Sequence, residues 1–195
     1  LPGSVIPMLP EVLSNDLCSL LPHKDRFVLG VRIDLRHDGS VRSKQFSNAI
    51  IHSKARLTYR YVADHLESGA AVVTWQQNLL AALHDVYQTL SRCRRHRGAI
   101  EFDLAESHAV FNEQGRITTI VATQRNVAHF LIEECMLLAN QLCAELLLEN
   151  KTHSLYRVHP RPTEDKLQAL RTLLGHYHIN IPEGPLETKD LQKII

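Results

Sequence analysis

The sequence predicts an α+β fold, with an antiparallel or mixed sheet packed around a long buried central helix. The helix is predicted over Arg125–Lys151, within the longest stretch without Gly or Pro, because apolar residues occupy nearly every face of it. Alternating apolar and polar residues in Phe27–Leu35, followed by the turn residues His37–Ser40, predict paired strands. Strand pairs joined by tight turns, with helices in blocks, are typical of the α+β class.

The first half of the chain continues this pattern. Val41–His52 is predicted to return as the second strand of an antiparallel hairpin. A helix is expected from about Thr58 to Glu67, closed by Ser68-Gly69. A second helix is expected from about Thr74 to Arg97, and its apolar stripe at helical spacing consists of Leu79, Leu83, Val86, Leu90 and Cys93.

Short strands flank the long helix. Three are predicted before it, and a turn at Asn112–Gly115 joins the last two: Ile100–Leu104, His108–Asn112 and Arg116–Thr123. Asn126 is the expected N-cap of the long helix. The remaining elements are a short strand, a helix capped by Thr163 and a further helix: Leu155–His159, Glu164–Leu174 and Glu187–Ile195.

Bulk properties bound the function only loosely. A chain of 195 residues fits one domain or part of a larger one, and its Leu1-Pro2-Gly3 start without Met suggests a piece of something longer. The net charge of +1 gives no overall electrostatic attraction to nucleic acid, so any such binding needs a local patch. The four cysteines form no CxxC, and nothing suits a signal peptide or membrane span. We therefore expect a cytoplasmic location, without disulfides or a zinc site.

Two adjacent acids in the long helix are its main anomaly. Burying a carboxylate costs free energy unless the group is paired or has a functional role, so Glu133 or Glu134 is expected to face a polar site. His129 and Glu133 are four residues apart, a possible two-ligand spacing, but the second His of a zincin motif is missing. No nucleophile motif and no phosphate-binding loop is present. Taken alone, the chain is not a convincing enzyme.

Aromatic residues beside charges favour a binding role. Phe102 alternates with Glu101 and Asp103 on a predicted strand, and Tyr59 follows the basic segment Lys54–Arg56. A base stacked on an aromatic side chain contributes about 1–3 kcal/mol, so both suit a groove for single-stranded nucleic acid. A core position is the alternative for Phe102. The basic run Arg92–Arg97 suits either RNA phosphates or the C-terminus of a helix.

Several segments together resemble one family: IPMLPEVLSNDLCSL (Ile6–Leu20), SKARLTY (Ser53–Tyr59), RGAIEFD (Arg97–Asp103), RNVAHFLIEECMLLAN (Arg125–Asn140) and LYRVH (Leu155–His159). In order and spacing they are similar to the catalytic RNB domain of the ribonuclease II and ribonuclease R family. The resemblance implies a processive 3′→5′ exoribonuclease that hydrolyses single-stranded RNA to nucleoside 5′-monophosphates with Mg²⁺. By position, Phe102 matches the aromatic that stacks on the 3′-terminal base. Tyr59 and Glu133 match residues that contact the ribose.

The sequence departs from the family at both ends. The family's aspartate run of the form D-x₅-D-x-D-D, its Ser/Thr-Pro-Ile-Arg segment, and its cold-shock and S1-type RNA-binding modules have no match here. Residues 1–195 are therefore interpreted as an interior part of the domain that holds RNA, without catalytic residues or ligands for the Mg²⁺ that the resemblance implies. Two alternatives stay open. One is an inactive RNA-binding homologue, and the other is a metal hydrolase built on His129, Glu133 and the Glu101/Asp103 strand.

Overall fold

A computed structural model describes residues 5–100, 106–158, 160–181, 184 and 186–192. These residues form a short π-helical turn, four strands and five α-helices: the turn Val12–Leu17, β1 Asp25–Leu35, β2 Val41–His52, α1 Tyr59–Ser68, α2 Thr74–His96, β3 Glu106–Phe111, β4 Ile117–Thr123, α3 Val127–Glu149, α4 Glu164–Gly175 and α5 Thr188–Gln192. Within the described ranges, the strands make two separate two-stranded antiparallel sheets, β1–β2 and β3–β4. The predicted α+β class is confirmed, whereas the strand predicted at Ile100–Leu104 lies almost entirely outside the described residues.

The chain divides into two compact units. The first comprises residues 1–90 and 103–139, and the second comprises residues 91–102 and 140–195. Both hairpins, α1, most of α2 and the N-terminal half of α3 belong to the first unit. No helix in the described part of the chain combines the length and the apolar character that a membrane span requires.

Turn chemistry shapes both hairpins as predicted. In the β1–β2 turn, the Asp38 carboxylate accepts hydrogen bonds from the Ser40 hydroxyl at 2.6 Å and the Ser40 N–H at 2.9 Å, and Gly39 has a φ of 80°. These bonds, the hydroxyl first, hold the pKa of Asp38 below its usual range. In the β3–β4 turn, Asn112 Oδ1 accepts from the N–H of Gln114 at 3.1 Å and of Arg116 at 2.9 Å.

Helix α1 begins and ends where its caps place it. Thr58 Oγ1 accepts a hydrogen bond from the Tyr61 N–H at 3.2 Å, and Gly69 closes the helix with a φ of 69°. Its inner face packs Val62 and Ala63 against Leu80 of α2 and Ala128 of α3. This small apolar cluster fixes the start of α1 beside the start of α3.

The apolar stripe predicted on α2 is confirmed at Leu90, which is buried, while Leu83, Val86 and Cys93 are half-buried, but it is wrong at its first position. Leu79 is 46% exposed, whereas Leu80 is only 2% exposed and lies in the core. At this end of the helix Gln76, which shares the face of Leu80, is polar yet buried, so the spacing of apolar residues alone does not mark the face that is packed. The Tyr61 hydroxyl donates a hydrogen bond to Gln76 Oε1 at 2.8 Å, and this bond makes a polar side chain tolerable in the core.

Helix α3 is buried along one stripe and not on all sides, so that part of the prediction is wrong for this chain. Its buried residues follow helical spacing: Ala128, Leu131, Glu134 and Leu142. Ile132, Met136 and Leu148 on the other faces are exposed. The apolar composition of a helix shows how much surface it can bury, but the described elements cover only one side of this helix.

In the second unit, close approach and ion pairing organise the shorter helices. A Cβ added at Gly98, whose φ is 88°, would lie 2.4 Å from Lys189 Cγ, so only glycine fits there. Arg171 of α4 donates to Glu164 at 2.8 Å and to the Gly184 carbonyl at 2.7 Å. The strand predicted at Leu155–His159 is wrong for residues 155–158, which are irregular, because no described segment offers them a pairing partner.

Candidate functional site

The first turn of α3 is held by a hydrogen-bonded cap. Asn126 Oδ1 accepts from the backbone N–H of Ala128 at 3.1 Å and of His129 at 3.4 Å. The same oxygen lies 2.8 Å from His129 Nδ1, and the Asn126 N–H lies 3.2 Å from that nitrogen. Nδ1 is therefore engaged in either tautomer of the ring, and the cap fixes the histidine's orientation.

A carboxylate from α1 meets the same helix end. Glu67 Oε1 accepts a hydrogen bond from the Val127 N–H at 3.4 Å. The N-terminus of a helix carries a partial positive charge, so an anionic group is favourable there. This contact joins the last turn of α1 to the first turn of α3.

Tyr59 and His129 form an aromatic pair between the two helices. Their ring centroids are 3.9 Å apart and their planes are inclined by 18°, which is a stacked arrangement. Tyr59 is the first residue of α1, placed there by the Thr58 cap. It remains 47% exposed, so one part of its ring supports the histidine while another part faces solvent.

The two acids of α3 have different environments. The Arg125 guanidinium forms an ion pair with the Glu133 carboxylate, and its Cζ also lies 4.5 Å from the centroid of the Phe130 ring. The Glu133 side chain is 26% exposed, whereas Glu134 is buried on the packed face of the helix. Glu133 is thus the acid near solvent.

An open groove of about 570 Å³ lies beside these contacts, between the start of α1, the β3–β4 hairpin and the start of α3. Its described lining combines aromatic, basic and amide groups with one carboxylate: Tyr59, Arg60, Glu67, His108, Ala122, Gln124, Arg125, Asn126 and His129. Glu133 is not one of the described residues that line it, and approaches it through Arg125.

A smaller apolar cavity of about 140 Å³ adjoins Tyr59. Its described lining is Leu57, Thr58, Tyr59, Val62, Leu80, Leu83, Ala128, Leu131 and Ile132. This cavity has no charged group among those residues, so it suits no polar chemistry of its own. Tyr59 is the residue that the groove and the cavity share.

The described side chains do not fit a Mg²⁺ site. Mg²⁺ prefers several oxygen ligands, yet the groove offers one carboxylate, Glu67, which already caps α3. Among the described residues, no three His, Cys, Asp or Glu side chains converge as metal ligands. The hypothetical His129–Glu133 metal pair is also disfavoured, because the glutamate already pairs with Arg125. Glu101 and Asp103 lie outside the described residues.

The groove is instead suited to binding one end of a ligand that combines phosphate groups with flat rings. A stacked aromatic pair offers a flat surface to a base or a sugar, and two guanidinium groups, of Arg60 and Arg125, suit phosphates. Each guanidinium also has a carboxylate nearby, Asp64 at 3.8 Å from Arg60 and Glu133 beside Arg125, so the groove offers directed donors rather than a large excess of positive charge.

Of the predicted site residues, the structure places Tyr59 in the groove and Glu133 beside it, while Phe102 lies outside the described residues. The sequence reasoning missed Arg125 and the stacking partner of Tyr59. His129 was considered as a metal ligand, and the only signal for its real contact was its position one turn after the cap. The basic run Arg92–Arg97 falls in the second unit.

Comparisons with known proteins point in one direction. The family model described as RNB domain matches residues 1–195. Ribonuclease R of Vibrio cholerae is 40% identical over 201 residues, covering 100% of this chain and 24% of that protein. Mycoplasma genitalium RNase R, solved in complex with ribose methylated single-stranded RNA, superposes with a TM-score of 0.92 at 32% identity, over 99% of this chain and 31% of that one.

A more distant structure shares the fold alone. Yeast Ssd1, described as a pseudonuclease, superposes with a TM-score of 0.65 at 17% identity, covering 90% of this chain and 21% of that one. The chain spans about a quarter of the length of the curated relatives that it matches.

Proposed function

This chain belongs to the RNB domain family, and on that premise we propose that it binds the 3′ end of single-stranded RNA within a processive 3′→5′ exoribonuclease. The nuclease releases nucleoside 5′-monophosphates. The supporting observation is the stacked Tyr59–His129 pair, which opens onto a groove with two guanidinium groups. Mycoplasma genitalium RNase R, with the same fold, has been solved with single-stranded RNA.

In this proposal, Tyr59 and Glu133 contact the terminal ribose through its 2′-hydroxyl. A carboxylate has about four lone-pair positions, so Glu133 can accept from a hydroxyl and from Arg125 together. A deoxyribose end lacks the donor, and the polar groups facing it lose a hydrogen bond. Phe102 stacks on the terminal base, an assignment that rests on its place in the RGAIEFD motif.

The chemical step is assigned to no residue of this chain. The Mg²⁺ that the family resemblance implies finds no fitting ligand set among the described residues, so our proposal gives the chain a binding role and locates the metal on other parts of the protein. A cytoplasmic location stays a prediction, which cell fractionation tests.

The test uses the complete protein that carries this chain. A 5′-labelled single-stranded RNA should be shortened in single-nucleotide steps, and an oligomer with a 2′-deoxy 3′ terminus should be degraded more slowly. Glu133→Gln and Tyr59→Phe should narrow that difference by about tenfold or more, since the first replaces a charge-assisted hydrogen bond to the sugar by a weaker neutral one and the second removes a hydrogen bond. Glu113→Gln, in the β3–β4 turn, and Tyr177→Phe, exposed in the second unit, are matched controls.

Two outcomes would refute parts of the proposal. Stable RNA binding without any shortening would favour the inactive RNA-binding homologue. Shortening with an unchanged preference for ribose ends in both site variants would reject the roles given to Tyr59 and Glu133.

A further inference from the structure

Arg125 occupies an unusual position relative to Glu133. It lies two residues before the first residue of α3, yet its guanidinium pairs with a carboxylate on the second turn of that helix. Asn126, between Arg125 and the helix, caps the helix by accepting from the N–H groups of Ala128 and His129. The pair spans eight residues and is not an ordinary i,i+4 contact within the helix.

The guanidinium is fixed at two points. Its Cζ lies 4.5 Å from the centroid of the Phe130 ring, and Nη2 contacts Glu133 Oε2. A guanidinium is planar, stacks on aromatic faces and presents a rigid set of donors. A lysine ammonium is a compact point charge with no plane to stack and no rigid set of donors. Arg125 is also a lining residue of the groove, so the group that orients Glu133 is itself at the proposed RNA site.

We infer that Arg125 is a positioning residue: it holds the Glu133 carboxylate at the edge of the groove and thereby sets the preference for ribose over deoxyribose at the RNA 3′ end. This inference rests on the proposed function, because it needs Glu133 to meet the sugar. A carboxylate on a flexible side chain samples several rotamers, and one bound to a stacked guanidinium is held near a single orientation. Selectivity for one hydroxyl depends on such preorganisation, since a displacement of about 1 Å can cost on the order of 100-fold.

Two other roles for Arg125 make different predictions. A phosphate contact would strengthen binding of ribose and deoxyribose ends alike, because both carry the same backbone charge. A purely structural role would change stability and leave the sugar preference as it is. The Arg125 side chain is 40% exposed, and partly exposed ion pairs add little to stability. A change in the preference for ribose over deoxyribose can therefore be distinguished from an equal loss of affinity for both ends and from a loss of stability.

The experiment measures kcat/KM of the complete protein on matched RNA oligomers that end in a ribose or a 2′-deoxyribose. The variants are Arg125→Ala, Arg125→Lys, Glu133→Gln and the double variant Arg125→Ala/Glu133→Gln. Arg60→Ala is the matched control, since it removes another guanidinium from the same groove. Circular dichroism checks that each variant is folded, and Arg125→Lys keeps the charge if the alanine variant does not fold.

We expect Arg125→Ala to lower the ribose-to-deoxyribose ratio of kcat/KM by about tenfold to 100-fold, close to the effect of Glu133→Gln. The double variant should lower the ratio little more than either single variant, because each single change already disrupts the same Arg125–Glu133 pair. Arg125→Lys should restore less than half of the lost ratio, on a logarithmic scale. Arg60→Ala should weaken both substrates equally and keep the ratio.

The results separate this inference from the proposed function. If Glu133→Gln lowers the ratio while Arg125→Ala leaves it intact, or weakens both substrates equally, the positioning role is overturned and the proposed function stands. If Glu133→Gln leaves the ratio unchanged, the ribose contact itself fails. Full recovery by Arg125→Lys would show that charge alone suffices, and would also overturn the positioning role.

Discussion

Replacing Asn126 by Ala should loosen the start of α3 and the histidine that depends on it. The Asn126 side chain accepts from two backbone N–H groups, at 3.1 and 3.4 Å, and contacts His129 Nδ1 at 2.8 Å. Removing an Asn cap costs about 1 kcal/mol, within a range of roughly 0.5–2. One of the two backbone bonds is long, and Glu67 still accepts from Val127, so we place the cost near 1 kcal/mol.

A change of about 1 kcal/mol corresponds to a roughly fivefold change in the equilibrium for local opening. Hydrogen exchange followed by mass spectrometry should therefore show amides of residues 126–131 exchanging about fivefold faster in the variant. Thr163→Ala is the matched control, since Thr163 precedes α4 at the cap position without a side-chain cap hydrogen bond. Exchange at the start of α4 should stay within about twofold of the unsubstituted protein. Equal acceleration at both helix starts, or none at α3, would refute the reasoning from cap geometry.

Three further predictions follow from the fold and the site. Phe102→Ala should weaken the grip on the last nucleotides and lengthen the final product on a sequencing gel, and an unchanged product ladder would reject its stacking role. Leu80→Ala should lower the free energy of unfolding by about 2–5 kcal/mol, as for other buried leucines, whereas Leu79→Ala should cost less than about 1 kcal/mol. Equal losses in denaturant titrations would contradict the core position of Leu80 and the exposed position of Leu79. Burial raises the pKa of the Cys135 thiol, so iodoacetamide near pH 8 should label Cys135 more slowly than the exposed Cys18. The contribution of this thiol to the free energy of unfolding should be complete below the thiol pKa of the unfolded chain, and it should be lost as the pH rises through the thiol pKa of the folded chain.

Features that depend on nearby residues could be predicted from the sequence. The Gly69 terminus and the Asn126 cap each act within a few residues, and both lie where predicted. Thr58, predicted as the approximate start of the first helix, is its N-cap. The Asn112 turn is likewise set by one side chain that accepts two backbone N–H groups. Local hydrogen-bonding chemistry requires no knowledge of the rest of the fold.

Features that depend on contacts between distant residues could not be predicted in this way. The stack of Tyr59 on His129 joins residues of two different helices, and a single sequence carries no signal for such a pair. Gln76 is buried with its amide oxygen bonded to the Tyr61 hydroxyl, so a polar residue occupies the core near the start of α2, where apolar spacing pointed to Leu79. Arg125 lies outside the helix, so helical spacing could not pair it with Glu133.

The extent of burial was also beyond the sequence. An apolar helix such as α3 was predicted to be surrounded, but the side chain of Met136 is exposed in this chain. Periodicity reports which faces favour burial, and neighbouring elements decide which of them become buried. The prediction succeeded on the stripe that includes Leu131 and Leu142, where such neighbours are present.

The most direct measurement is a crystal structure of the complete protein bound to a short single-stranded RNA. Our account predicts the terminal ribose beside Tyr59, with its 2′-hydroxyl about 2.5–3.0 Å from a Glu133 carboxylate oxygen and Arg125 still paired with that carboxylate. An RNA end that lies away from this groove, or a Glu133 carboxylate that faces Arg125 alone with the sugar beyond hydrogen-bonding distance, would contradict it.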